Sequence, residues 1–96
     1  MQVNLTERAA SKVRELMTGW GDALCLRLLV RKSAGAFSYN LVFERAPRPT
    51  DLVLTVGDIC ILVDPGSGEW ADGCSIDFLH SPAGFAVHNP QAGLQH

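Results

Sequence analysis

The chain has 96 residues, of which 47% are apolar and 19% are charged, and its formal net charge at pH 7 is −2. This balance indicates a folded globular protein and argues against a disordered chain. The slight negative charge and the lack of a Lys/Arg run give no footprint for nucleic acid, and no apolar run approaches the roughly 20 residues of a membrane span. We therefore expect neither nucleic acid nor membrane among its partners.

The length predicts one domain over residues 1–96, with an ordered core at 5–91 and a tail at 92–96. The first residues lack the basic and apolar segments of a secretory signal. Three cysteines at wide spacing suit a reducing compartment better than a disulfide framework: Cys25, Cys60 and Cys74. We expect a cytoplasmic protein in which these cysteines are unpaired and mostly buried as small hydrophobes.

The first predicted element is a helix within "LTERAASKVRELMTGWG" (5–21). Thr6 is the expected N-cap, and Glu7 places a negative charge in the first turn, where the helix dipole favours it. Glycines at 19 and 21 end the helix. Helical spacing predicts one apolar face packed against the core, formed by Ala9, Val13, Leu16, Met17 and Trp20.

After the helix the apolar period changes from 3.6 to 2, which predicts half-buried strands. The segments "LCLRLLVR" (24–31) and "FSYNLVF" (37–43) both alternate in this way, and a loop of small residues lies between them. Arg27, Arg31 and Lys32 are interpreted as a solvated strand edge, with a small basic patch as the alternative.

The second half of the chain predicts four more short strands. Two prolines put 45–51 in a surface loop, and Gly57-Asp58 joins the next two strands as a tight hairpin. Residues 64–73 are expected to turn, with one helical turn near Trp70, and Ser81–Gly84 to connect the last two strands. One helix followed by about six strands predicts a mainly β, α+β protein with two small mixed sheets, as a sandwich or flattened barrel.

Six segments in this order resemble the A-type iron–sulfur carriers, the HesB/IscA family. They are "LTERAASKVRELM", "LRLLVRKSAGAFSYNLVF", "DLVL", "ILVDPGS", "DGCSIDF" and "GFAVHNPQ", and together they cover 5–91. The resemblance implies one N-terminal helix on two small mixed sheets, and a role in building or delivering iron–sulfur clusters. We expect no enzyme activity, because the sequence has no nucleophile elbow and no phosphate-binding glycine loop.

The resemblance also implies where ligands belong, since family members hold iron with a cysteine in a Gly-Cys-Ser-Gly loop and two more in a C-terminal Cys-Gly-Cys. Here the matching loop is one residue shorter, and its cysteine position falls on Ala34 or Gly35. The first C-terminal cysteine would fall near His96. A cluster needs thiolate or imidazole ligands, which the hydroxyl of Ser33 replaces poorly. We therefore predict a degenerate, non-ligating accessory protein with no cofactor.

Two alternatives remain open. Iron or a [2Fe–2S] cluster would be held across an oligomer interface by unorthodox ligands, for which the candidates are Cys25, Cys74, His88 and His96. A four-residue connection between the last strands would place His88 across from Asp77, which could orient the imidazole. Otherwise the fold has been recruited to bind a small ligand or peptide on an exposed face formed by Phe37, Tyr39 and Trp70.

The expected partners are a second copy of the chain, other iron–sulfur assembly proteins, or both. Small sheet domains expose strand edges, and self-association is one way to cover them.

Overall fold

The computed structural model describes residues 1–20 and 24–92. The elements in chain order are β1 (Asn4–Leu5), α1 (Glu7–Met17), β2 (Cys25–Ser33), β3 (Ala36–Glu44), β4 (Leu52–Val56), β5 (Ile59–Val63), α2 (Pro65–Ala71), β6 (Ser75–His80) and β7 (Ala83–His88). One sheet has the order β1-β6-β7 and the other the order β3-β2-β5-β4. Because β1–β6 and β2–β5 are parallel and the remaining pairs antiparallel, both sheets are mixed, which confirms the predicted fold class.

Helix α1 begins as predicted. The Thr6 hydroxyl accepts a hydrogen bond from the Ala9 backbone N–H at 3.2 Å, which satisfies one of the amides left unpaired at a helix start. The same hydroxyl donates to the Asp77 carboxylate at 2.6 Å and so ties the helix to β6. Ala9 and Val13 are fully buried on the face of the helix that packs against the core.

The end of α1 differs from the prediction. The helix stops at Met17, and Gly19 takes a φ of 92°, so that the helical spacing no longer applies at Trp20. Trp20 is 55% exposed and Leu16 is 40% exposed, so the predicted buried face stops short of both. Gly21, the second predicted stop, lies outside the described residues.

The inner face of the four-stranded sheet forms much of the core, as the alternation in β2 predicts. Leu26, Leu28 and Val30 are buried there together with Ile61 and Val63 of β5. The β4–β5 hairpin turns at Gly57-Asp58 as expected, with a φ of 62° at Gly57.

The outer face of this sheet carries a buried arginine, and the predicted solvated edge is wrong for Arg27. Its side chain is 1% exposed, because the loop at 45–51 folds back over β2. The guanidinium donates to Asp51 at 2.8 and 2.5 Å and to Glu44 at 2.6 Å. Asp51 also accepts from the Arg48 backbone N–H at 2.6 Å. The Arg27 hydrogen bonds are the main reason that the pKa of Asp51 is lowered from 3.8 to about 2.

Helix α2 is longer than the single predicted turn, and it is fixed to β2 by a buried hydroxyl. Ser67 accepts hydrogen bonds from the Val30 backbone N–H at 2.9 Å and from the Arg31 guanidinium at 2.6 Å. Arg31 also pairs with Asp64, the residue before the helix, at 3.0 Å. These contacts anchor the start of α2 to β2.

The register of the last hairpin corrects another prediction. Strand β7 begins at Ala83, so that the connection has two residues rather than four. Consequently His88 lies across from Ser75, and Asp77 lies across from Ala86. The Asp77 carboxylate is instead held by Arg8 at 2.6 and 2.7 Å and by the N-cap of α1, which lowers the pKa of Asp77.

The expectation of three unpaired cysteines is wrong for two of them. Cys25 and Cys60 form a disulfide with their Cα atoms 4.7 Å apart. They are 35 residues apart in the sequence, and they meet only because β2 and β5 are neighbours in the sheet. Cys74 is unpaired and buried as expected, and its thiol donates to the Trp70 carbonyl oxygen at 3.6 Å.

The Arg27 cluster yields a first prediction. Arg27→Met leaves the buried Asp51 carboxylate without its guanidinium and should lower the free energy of unfolding by about 3 kcal/mol at pH 7. The native Asp51 pKa lies below its unfolded value, so this stabilisation is complete above about pH 4 and disappears as the pH falls through about 2. Urea unfolding from pH 7 to 2 measures it, and the gap between the two proteins should narrow at low pH.

Arg14→Met is the matched control, because Arg14 pairs with Asp58 at the surface with both side chains more than half exposed. It should change stability little. A constant gap at all pH values, or an Arg14 variant as unstable as the Arg27 variant, would contradict the assignment.

Candidate functional site

The turn between β2 and β3 holds the three residues assigned to the ligand loop. Ser33 still belongs to β2, so that the connection consists of Ala34 and Gly35 alone. Their φ values are 51° and 81°, the combination that a two-residue type I′ hairpin requires. All three residues are exposed. The site is therefore a tight, solvent-facing turn.

The donors at this turn do not suit iron–sulfur chemistry. Ser33 offers a neutral hydroxyl, while Ala34 and Gly35 have no side-chain donor. Thiolate or imidazole ligands are required for a cluster, and a serine hydroxyl has neither the softness nor the charge of a thiolate. A Cβ added at Gly35 would meet no atom within 4 Å, so the turn leaves open space for a side chain there.

An aromatic cluster lies beside this turn, formed by Phe37, Tyr39 and Trp70. Phe37 stacks with Tyr39 at 6.3 Å between ring centroids and meets Trp70 edge-on at 5.5 Å. The Lys32 ammonium lies 5.5 Å from the Phe37 centroid and 5.1 Å from that of Trp70, within cation–π range.

The exposed face predicted for these aromatics is wrong in one respect, because all three rings are partly buried and pack against the core. Tyr39 also lines an open groove of about 360 Å³ between the edges of the two sheets, together with Leu41, Phe85 and Val87. A role for the cluster in binding a partner stays a prediction.

The candidate weak ligands do not converge. Cys25 lies on the outer face of the four-stranded sheet in a disulfide, whereas Cys74 is fully buried in the core before β6. Burial raises the pKa of the Cys74 thiol, which disfavours the thiolate that binds metal. His88 lies at the exposed end of β7, and His96 is outside the described residues. Across 1–20 and 24–92, no three His, Cys, Asp or Glu side chains form a group that could hold a metal ion.

Two features of the outer sheet face were missed by the sequence interpretation: the Cys25–Cys60 disulfide and the Arg27–Asp51 pair. Both join residues that are distant in the chain. The sequence offered one signal for both features, because Cys25 and Arg27 are two residues apart in β2 and therefore lie on the same face of the strand.

Comparisons with known proteins bear on this geometry. No protein-family model matches the chain. The iron–sulfur cluster insertion protein ErpA of Xylella fastidiosa is 35% identical over 94 residues, covering 94% of this chain and 73% of the relative. Escherichia coli SufA, involved in the biosynthesis of iron–sulfur clusters, has a TM-score of 0.78 at 27% identity over 95% of this chain and 88% of SufA. The structure of IscA with its [2Fe–2S] cluster has a TM-score of 0.74 at 24% identity, covering 93% of this chain and 86% of the IscA chain. It shares the fold.

The helix on two small mixed sheets thus defines a carrier-type scaffold, shared with SufA and IscA. Taken with the extent of identity to ErpA, it shows that the chain belongs to the A-type iron–sulfur carrier family, the HesB/IscA family. Relatives in this family work on iron–sulfur clusters, and IscA binds one. Neither α1 nor α2, the helices of the described ranges, is long and apolar enough to cross a membrane.

The turn yields a second prediction. Ala34 has a positive φ, which costs an L-residue about 1–2 kcal/mol. Ala34→Gly should raise the free energy of unfolding by about 0.5–1 kcal/mol, after the greater entropy of glycine in the unfolded chain is subtracted. Ala36→Gly, on the first residue of β3, is the control and should lower it. Thermal unfolding of both variants measures these changes in stability. An Ala34→Gly substitution that is neutral or destabilising would contradict the turn geometry.

Proposed function

We propose that this chain is a degenerate member of the carrier family that acts by binding other proteins and does not ligate a cluster itself. The observation that carries this proposal is the β2–β3 turn, where the resemblance to the family locates a ligand cysteine. Ser33, Ala34 and Gly35 supply no thiolate or imidazole at that position.

The remaining thiols support the same conclusion. Cys25 and Cys60 are bonded to each other, and Cys74 is enclosed in the core with a raised pKa. With the disulfide formed, none of the three is both unpaired and exposed, as a site that accepts a cluster from solvent or from a partner requires.

The scaffold remains suited to protein contacts. The four-stranded sheet ends in the edge strand β4, where Leu52 is 44% exposed and Val53 is 52% exposed. Edge strands with exposed apolar residues favour pairing with another chain. The proposed partners are therefore a second copy of the chain or an authentic cluster carrier. In this proposal the chain itself has no enzymatic activity and no resident cofactor. A cytoplasmic location is part of the same proposal.

Anaerobic reconstitution tests the proposal. The protein is treated with ferrous iron, sulfide and excess dithiothreitol, which opens the disulfide, and is then desalted. We expect no stoichiometric iron, no acid-labile sulfide and no visible absorption band. The matched sample is a Cys25→Ser/Cys60→Ser/Cys74→Ala variant, which should give the same baseline.

A stoichiometric chromophore in the natural protein that is lost in this variant would overturn the non-ligating proposal. The mass of the same samples by light scattering, with and without an added cluster-loaded carrier, tests the partner claim. A monomer that never associates with itself or with the carrier would contradict that claim.

A further inference from the structure

The Cys25–Cys60 disulfide lies on the outer face of the four-stranded sheet, away from the β2–β3 turn. Cys25 is the first residue of β2, and Cys60 is the second residue of β5. Leu26 pairs with Ile61, so the two cysteines occupy the adjacent positions of the same parallel ladder. Their pairing therefore follows from the strand register.

The two cysteine residues differ in exposure. Cys25 is only 9% exposed and has Glu44 of β3 directly across from it. Cys60 is more exposed, and its neighbour on the edge strand β4 is the exposed Thr55. On the same face of β4, Val53 is also exposed. Of the two cysteines, Cys60 is therefore the easier one for a thiol reagent to reach, from the β4 side.

The charges near Cys25 are balanced. Glu44 and Asp51 contribute two carboxylates, and Arg27 and Arg48 contribute two guanidinium groups joined to them by ion pairs. A thiolate released at Cys25 thus faces Glu44 with its charge already paired.

We propose that Cys25–Cys60 is a reversible disulfide that exchanges with a thiol reductant at Cys60. This inference concerns a second site and does not depend on the proposed function. A reductant thiolate attacks the Cys60 sulfur, the bond to Cys25 breaks, and Cys25 leaves as a thiolate that takes a proton. A second reductant thiol, from the same dithiol or from a second monothiol molecule, then attacks the reductant sulfur of the mixed disulfide, and Cys60 leaves as a thiolate that takes a proton. Two electrons pass to the protein, and the two reductant thiols become a disulfide.

Reduction removes the only disulfide among residues 1–20 and 24–92, which links the β2–β3 hairpin to the β4–β5 hairpin. The hairpins then remain joined through the β2–β5 ladder and the side chains that cover it. The dithiol form should keep the fold with lower resistance to unfolding.

Thiol counting on the full native chain tests the exchange. Protein purified without reductant is incubated with reduced glutathione or with a reduced thioredoxin, quenched with acid, and labelled with a maleimide in denaturant. Mass spectrometry should show one label before reduction, on Cys74, and three afterwards. The Cys74→Ala control should change from no label to two. The reductant that acts faster shows whether a small monothiol or a protein dithiol is the preferred source of electrons for the disulfide.

Three labels both before reductant and after treatment with oxidised glutathione would show that no disulfide forms. A single label after either reductant, with three appearing only when the protein is reduced in denaturant, would show an inert structural bond. Either result overturns the proposal.

The direction of attack has its own test. In Cys25→Ser the less buried Cys60 thiol should form a mixed disulfide with oxidised glutathione at least about tenfold faster than Cys25 does in Cys60→Ser. Circular dichroism confirms that both variants are folded. Equal rates, or the reverse order, would contradict attack at Cys60.

Discussion

The four-stranded sheet depends on a short parallel ladder between its two central strands. Leu26, Arg27 and Leu28 pair with 61–63, and this ladder alone joins the β2–β3 hairpin to the β4–β5 hairpin within the sheet. Three paired positions are few, so the ladder relies on what covers it. The inner face is closed by the apolar core, and the outer face by Arg27 with its two carboxylates and by the disulfide. Burying a guanidinium is tolerable only because its hydrogen bonds are satisfied.

The packing of this scaffold does not involve the residues of the β2–β3 turn. The β2–β3 hairpin extends beyond the β2–β5 ladder and ends at Ala34 and Gly35, which are both exposed. A ligand at the turn is therefore not needed for folding. In contrast, Arg27, Ser67 and the aromatic cluster that includes Trp70 of α2 contribute to the packing. The residues that pack the fold and the residues of the predicted ligand loop are therefore different ones.

Much of the fold could be predicted from the sequence because the signals are local. The N-cap at Thr6, the alternation in β2 and β3, and the turn at Gly57 each follow from neighbouring residues. The predictions were wrong where the structure depends on contacts between segments that are distant in the chain. Asp51 covers Arg27 from a loop, and Cys25 meets Cys60 only through a crossover pairing. The β6–β7 register was missed because the turn is two residues shorter than expected. For the site, the residue types at Ser33, Ala34 and Gly35 are given by the sequence, and their role stays a prediction, whereas the half-buried packing of the aromatics could not be predicted from it.

Native-state hydrogen exchange of the backbone amides tests the central role of the ladder most directly. We expect the slowest amides in the ladder segments 26–28 and 61–63, with exchange that requires global unfolding and therefore follows the full free energy of unfolding. Amides flanking the turn at 33–36 should exchange much faster. If the ladder amides exchanged by local opening, at rates similar to those of the turn, the two hairpins would be independent units and the account would be wrong.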